Sequence, residues 1–241
     1  MHPWPIKKLG EVCEIVGGGT PSTHINSYWG NDYFWITPKD LGKITTIEIS
    51  KSGRKISKAG LKNSSARLLP IGSVILSSRA PIGYVVINTV EMATNQGCRS
   101  FVCGSAIYNR YLYYFLKLNT VYLNSLGSGS TFREVSGSRL KEVEIPLPPL
   151  EIQKKIVKKI EELFAKIAQA QSLRESSVRD TNNLIPAILG KIFENGRQNK
   201  WKEYMLEDVS NKITDGTHHT PKYVESGIPF ISVKNLTKGN L

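Results

Sequence analysis

Cysteine is scarce in this chain, and the three present (Cys13, Cys98 and Cys103) stand at no metal-ligand spacing. Their odd number argues against a disulfide framework. Histidine is equally sparse: His2, His24 and the adjacent pair His218–His219 form no set that could serve a metal or a Ser-His-Asp triad. No apolar run reaches the ~18 residues of a membrane-spanning helix, and no signal-peptide core is seen, so a reducing cytoplasm is the expected location. Gly17-Gly18-Gly19-Thr20 lacks the Gly-Lys-Ser/Thr ending of a nucleotide loop. Pro148-Pro149 is flanked by Leu147 and Leu150, so it lacks both the preceding Asp/Asn and the following aromatic that hold a flipped adenine. Glu142 and Glu144 lie near Lys141, yet nothing pairs with them at the spacing of a metal nuclease. These absences exclude the common catalytic designs, and no catalytic residue and no metal ligand is expected.

What the chain does have is positive charge. Its 241 residues carry a formal net charge of +12, which favours a polyanionic partner. A basic surface that serves only solubility is the plain alternative. The surplus is uneven: residues 1–150 hold 17 Lys+Arg against 9 Asp+Glu, residues 151–202 hold 11 against 6, and residues 203–241 hold 4 against 5.

Residues 1–149 read as a mixed α/β domain. Apolar segments at Val12–Val16, Tyr33–Ile36, Ser73–Ser77, Tyr84–Ile87 and Ser100–Val102 alternate with Gly, Pro, Asn and Ser clusters and predict strands. Tyr108–Leu118 is apolar all round and predicts a buried helix. Pro146, Pro148 and Pro149 then impose an extended stretch. Beyond them Ile152, Ile156, Ile160, Leu163, Ile167 and Ala170 step by four and three, a coiled-coil seam. The seam turns polar around Arg174, Ser177 and Thr181 and resumes at Leu184, Ile188 and Ile192, with a kink expected at Pro186 and a stop at Gly196. A helix from Glu151 to Phe193 spans ~64 Å, too long to hide its seam on one 150-residue domain. The seam calls for a partner helix in an antiparallel coiled coil, from later in the chain or from a second copy.

After this spacer, expected over residues 150–198, the sequence starts again. Trp4, Leu9, Val12, Gly19 and Thr20 recur as Trp201, Leu206, Val209, Gly216 and Thr217, all 197 positions on. Ile36-Thr37-Pro38-Lys39-Asp40-Leu41 recurs as Ile231-Ser232-Val233-Lys234-Asn235-Leu236, 195 positions on. Fixed-period similarity marks a duplicated unit. Residues 199–241 therefore read as the start of a second, incomplete domain, partly ordered at best.

Taken in order, several short motifs form a series: Gly17-Gly18-Gly19-Thr20-Pro21-Ser22, Trp35-Ile36-Thr37-Pro38-Lys39-Asp40-Leu41, Ser77-Ser78-Arg79-Ala80-Pro81-Ile82-Gly83, Asn95-Gln96-Gly97-Cys98, Gly127-Ser128-Gly129-Ser130-Thr131-Phe132 and Ile145-Pro146-Leu147-Pro148-Pro149-Leu150-Glu151-Ile152-Gln153. With the long helix and the second start, this series resembles the specificity subunits of type I restriction–modification systems. The resemblance implies a target-recognition domain followed by a spacer helix, the pair repeated, with the two helices packed antiparallel. Each domain would read one half of a split double-stranded DNA site. The partners implied are modification subunits that bring S-adenosylmethionine, and restriction subunits that use ATP and Mg2+; no cofactor is implied for this chain. A half-length chain could form a homodimer through the spacer helix, reading an inverted repeat; the alternative is that the sequence is part of a longer chain that carries both repeats. Two other classes stay open: the specificity part of a fused restriction enzyme, and a self-associating basic module without sequence preference.

Residues suited to DNA contact follow from side-chain chemistry. The basic insert Lys43–Arg67 offers Lys51, Arg54, Lys55, Lys58, Lys62 and Arg67 for phosphates, joined by Lys39. Ser77 and Arg79 offer a hydroxyl and a guanidinium, and Gln96 an amide that matches an adenine edge. Ser128, Ser130, Thr131 and Arg133 lie on a hydroxyl-rich loop ending in a cation. For each there is a structural alternative: a solvated charge run, or a polar side chain that satisfies turn backbone. That alternative is favoured for Asn95-Gln96, and the triple glycine reads as a turn rather than a phosphate cradle.

Overall fold

The computed structural model describes residues 4–129, 133–215, 221–228 and 230–233. The chain divides into two compact units, Met1–Arg174 and Glu175–Leu241.

The first unit opens with β1 (Ile6–Lys8), the single turn α1 (Leu9–Val12) and β2 (Cys13–Gly17). Next come β3 (Trp29–Ile36), α2 (Pro38–Leu41), β4 (Glu48–Ile49), β5 (Arg54–Ile56) and α3 (Lys58–Lys62). A run of strands follows, β6 (Val74–Ser77), β7 (Val85–Asn88), β8 (Met92–Thr94) and β9 (Cys98–Cys103). The helices α4 (Asn109–Leu118), α5 (Thr120–Ser125) and α6 (Gly137–Lys141) precede β10 (Glu144–Pro146), and α7 runs over Leu150–Gln198.

Among the described residues the strands build three sheets. One has five strands in the order β2-β9-β6-β7-β4, antiparallel except for the parallel β4–β7 edge. A second has the order β5-β3-β8, with β3 antiparallel to β5 and parallel to β8, and β1 pairs with β10. Mixed α/β is the class the sequence predicts. The continuous apolar runs in β6 and β7 follow from their position: both strands are buried on both faces. Val74 and Leu76 pack with Leu112, Leu116 and Phe101, while Ile75 and Val86 pack with Ile36, Leu41 and Met92 on the other side.

Two expectations change. Helix α4 is not buried all round: it buries Leu112, Tyr113 and Leu116, while Leu118 is 84% exposed. The basic insert, for which no regular element was expected, is structured. It carries β4, β5 and α3, pinned by the buried Ile49 and Ile56. Alternation over two or three residues is too short to announce a strand, so the pattern was masked by the charges around it.

Helix α7 begins after Pro149, whose carbonyl accepts the Ile152 and Gln153 N–H groups at 2.8 and 3.1 Å. It continues through Pro186, which can donate no hydrogen bond to the preceding turn.

In the second unit the helix passes the expected stop at Gly196 and ends at Gln198. Trp201 packs against Gly196, where a Cβ would meet the indole at 2.4 Å, and Lys200 takes the left-handed conformation that turns the chain. Then α8 (Leu206–Val209) repeats α1 at the same offset of 197. The capping contact repeats too: Glu11 accepts the Lys8 N–H and Asp208 accepts the Met205 N–H, each at 3.1 Å. The burial does not. Leu9 is 0% exposed and Leu206 73%, because no sheet covers the second turn among the described residues. Of the repeated positions, Gly216, Thr217 and Lys234 to Leu236 lie outside the described residues. Among the described residues no helix is long and apolar enough to cross a membrane.

Candidate nucleic-acid interface

The triple glycine is explained by packing. Strand β2 leaves its sheet at Gly17, paired with Arg99 of β9, and the chain then threads between two loops. A Cβ on Gly18 would lie 2.0 Å from the Asn95 carbonyl oxygen, and one on Gly19 would lie 2.3 Å from the Ala66 nitrogen. The Gly19 N–H donates to the Thr94 carbonyl at 2.9 Å, so it is engaged and does not await an anion. Gly18→Ala is expected to destabilise the first unit by about 1–3 kcal/mol through forced backbone movement, measurable as a lower thermal midpoint. An unchanged midpoint would show that the two loops separate freely.

This crossing joins the polar residues into a row. The Thr20 hydroxyl donates to the Gln96 side chain, and the Trp35 indole N–H donates to the Gly19 carbonyl at 2.9 Å. Asn95 closes its own turn, its side chain accepting the Gly97 N–H at 3.0 Å, which leaves Gln96 exposed at the tip. Arg99 donates to the Gln96 carbonyl at 3.0 Å and to Glu134 at 2.9 Å. Arg79 approaches the same carboxylate at 3.7 Å and lies against Gly97. One carboxylate between two guanidiniums holds both in place and leaves one positive charge uncompensated. Ser128 is tied to this group through its backbone, exchanging hydrogen bonds of 3.1 and 3.0 Å with Glu134.

On the other side of Trp35 lies an aromatic and basic patch. Trp29 meets Trp35 edge to face at 5.2 Å, and the Arg54 guanidinium lies 3.7 Å from the Trp29 ring centre. Lys55 lies 4.6 Å from the Phe34 ring. Such cation–π contacts hold the charged groups themselves against the rings, and a stacked guanidinium can still donate from its edge. Asp32 accepts the Lys58 N–H at 2.8 Å, capping α3. A cleft of about 570 Å3 between β2 and the segment after α3 is lined by Gly17, Ser64, Ser65 and Arg67, and Arg67 reaches Glu14 at 3.9 Å.

The structure thus connects Arg54, Gln96, Arg79 and Ser128 through named contacts, with Arg67 on the neighbouring cleft. Lys39 is exposed on α2, whose Pro38 abuts Gly97. Lys51, Lys62 and Arg133 are exposed, and among the described residues no polar contact draws their side chains into the row. Ser130 and Thr131 lie outside the described residues. Ser77 is unfit for the role expected of it: it is 0% exposed, donates to the Pro81 carbonyl and accepts the Tyr84 N–H, both at 2.8 Å. It stabilises a turn. The sequence reading missed Arg99, Thr20 and Trp29. Arg99 stood one residue past a motif that ended at Cys98, inside a strand, where a cation is usually a solvated edge. Among the described residues no three His, Cys, Asp or Glu side chains gather as a metal site.

The seam of α7 divides in two. Ile152, Ile156 and Ile160 are half-buried and Val157 is buried, and Ile156 and Ile160 line an apolar groove with Tyr111, Phe115 and Phe164. Leu163 and Ile167 are about half exposed. In the second unit Leu184, Ile188 and Ile192 are exposed to a similar extent.

Comparison with known proteins places these features in a family. Residues 1–175 match the type I restriction modification DNA specificity domain. The chain is 38% identical over 258 residues to the type I restriction enzyme MjaIX specificity subunit of Methanocaldococcus jannaschii, covering 98% of this chain and 59% of that protein. It is 28% identical to the HindI specificity subunit of Haemophilus influenzae, over 77% of this chain and 41% of that protein. The EcoR124I/EcoR124II specificity subunit of Escherichia coli is 27% identical, over 63% of this chain and 38% of the relative. The chain therefore spans about half the length of the curated relatives it matches. Among solved structures, one from a study of complex assembly and conformational transition in a type I R-M system aligns with a TM-score of 0.60 and 25% identity, covering 80% of this chain and 46% of that one. The HsdS subunit from Thermoanaerobacter tengcongensis has the same fold, with a TM-score of 0.55 at 24% identity over 70% of this chain and 39% of its own.

Proposed function

Because this chain belongs to the family of type I restriction–modification DNA specificity domains, we propose that it reads one half of a bipartite site in double-stranded DNA and docks the modification subunits. The observation that carries this reading is the connected row Arg54–Trp29–Trp35–Gln96–Arg99–Arg79. Its side chains are held by neighbouring protein groups while Arg54 and Gln96 remain exposed. Guanidiniums held in this way suit phosphates, and an amide at a loop tip suits a base edge. Lys39, Lys51, Lys55, Lys58, Lys62, Arg67, Ser128 and Arg133 extend the same role to the surrounding surface.

The chain itself does no chemistry in this proposal. S-adenosylmethionine belongs to the modification subunits, and ATP and Mg2+ to the restriction subunits. The spacer helix pairs antiparallel with a second helix of its kind. Its seam supports pairing between two copies: it is apolar at both ends, polar around Arg174 and Ser177, and between Leu163 and Ile188 it reads alike in either direction. Laid antiparallel about a point between Glu175 and Ser176, Leu163 faces Ile188, Ile167 faces Leu184 and Ala170 faces Thr181.

A genome-wide map of N6-methyladenine, in cells expressing this chain with a cognate modification subunit, tests the proposal. A split motif with a fixed gap is expected, with inverted-repeat halves if two copies pair. Absence of any new methylation would overturn the reading. With the assembled complex, Arg79→Ala and Arg99→Ala are each expected to weaken binding to all duplexes and to flatten the salt dependence by about one unit of slope per lost phosphate contact. An unchanged slope would remove these two residues from the interface.

A further inference from the structure

The five-stranded sheet brings two of the three cysteines together. Cys13 opens β2, Cys103 closes β9, and the antiparallel register sets them directly opposite. The Gly104 N–H donates to the Val12 carbonyl at 2.9 Å, while the Cys13 N–H turns back to the Leu9 carbonyl. This pattern makes Cys13 and Cys103 a non-hydrogen-bonded pair, the class in which facing Cα atoms lie only about 4.5 Å apart and both side chains leave the same face. That separation falls at the short end of the range a disulfide spans, about 4.4–6.8 Å. Cβ atoms of facing residues sit at about 4.5–5.5 Å, slightly beyond the roughly 3.5–4.5 Å of a disulfide. Both thiols are free.

The two thiols differ in surroundings. Cys13 is buried beside Leu9 and Val12. Cys103 is half-buried and lines an open pocket of about 390 Å3 with Gly104, Ser105, Tyr108 and Lys154. The facing thiols interact, which pushes the Cys13 thiol up and lowers that of Cys103, so the thiolate is favoured at Cys103. Cys98, at the other end of β9, faces Ser77 across the sheet and no thiol. Its burial pushes the thiol up to about 12.

We propose that Cys13 and Cys103 form a redox-modification site, with Cys103 as the attacking thiol and Cys13 as the resolving one, closed into a cross-strand disulfide by small-molecule disulfides. The Cys103 thiolate attacks one sulfur of the small disulfide, and its partner leaves as a thiolate. Cys13 loses its proton as it attacks the Cys103 sulfur of the mixed disulfide, and the second small thiolate leaves. Two protein thiols are oxidised, and one small disulfide is reduced to two thiols. Closure has to bring the two Cβ atoms nearer than the usual spacing of such a pair, which tilts the strand ends, so the bond is strained and readily reduced. The strand end that moves leads directly into Ala106 and Tyr108, the loop whose backbone holds Gln153 of α7.

Incubating the reduced, folded full chain with oxidised glutathione, followed by intact mass and peptide mapping, tests this. Loss of two hydrogens is expected, with the Cys13 and Cys103 peptides joined, Cys98 free, and full reversal by dithiothreitol. Cys13→Ser is expected to stop at the mixed disulfide, gaining one glutathionyl group on Cys103. Cys103→Ser is expected to stay unmodified. The proposal is overturned if the folded wild-type chain keeps a glutathionyl group without forming the link, if both thiols stay reduced, or if the link forms only in denaturant.

Discussion

Gln153→Ala is expected to destabilise the first unit by about 3 kcal/mol, lowering its thermal midpoint by roughly 6–12 °C. Gln153 is 0% exposed at the start of α7. Its Nε2 donates to the Ala106 carbonyl at 3.0 Å and to the Pro148 carbonyl at 2.8 Å, and its Oε1 accepts the Tyr108 N–H at 2.8 Å. Alanine leaves three backbone groups without partners, each a desolvation penalty of about 1–3 kcal/mol before water or rearrangement relieves it. Gln153→Glu keeps the acceptor but sets a carboxylate against two carbonyl oxygens, and is expected to be at least as harmful. Thermal unfolding followed by near-ultraviolet circular dichroism measures both. A shift under about 2 °C for the alanine variant would mean that water substitutes for the amide.

Deleting seven residues from the middle of α7, Ser172–Val178, is expected to move the two halves of the methylated motif closer by about three base pairs. Seven residues shorten the helix by ~10 Å at about 1.5 Å per residue, against about 3.4 Å per base pair. The deletion keeps the seam in phase, since Ala170 is still followed four residues later by Thr181. Deleting five instead turns the later seam by roughly 140° and is expected to abolish assembly. Methylation mapping of both variants reads the outcome. An unchanged gap in the seven-residue deletion would end the idea that the helix sets spacing.

Elements with a continuous apolar pattern were the most legible. Strands β6 and β7 lie within a residue of their expected spans, and α7 runs two residues past its expected stop. The longer β3 and β9 were expected too short, and β4, β5, β8 and α3 were not expected at all; β3 pairs with β8 across more than fifty residues of chain. At the candidate interface, the residue types were legible but not their accessibility. Arg79 and Ser77 stood in one motif and looked equally available. In the fold Ser77 is enclosed by the turn it stabilises, while Arg79 shares Glu134 with Arg99.

The sequence by itself determined the class of the domain, the position of the long helix, the recurrence of residues at a fixed offset and the excess of positive charge, and its ordered motifs pointed to the family. These are properties of composition and of periodic or repeated residues, which no tertiary contact can alter. Only the tertiary structure decided which polar side chains are engaged and which remain free: Gln153 as a buried clasp, Gly18 and Gly19 as a close crossing, Arg99 beside Arg79, Cys13 opposite Cys103. Each depends on residues far apart in sequence meeting within a few ångströms, and local pattern carries no record of such meetings.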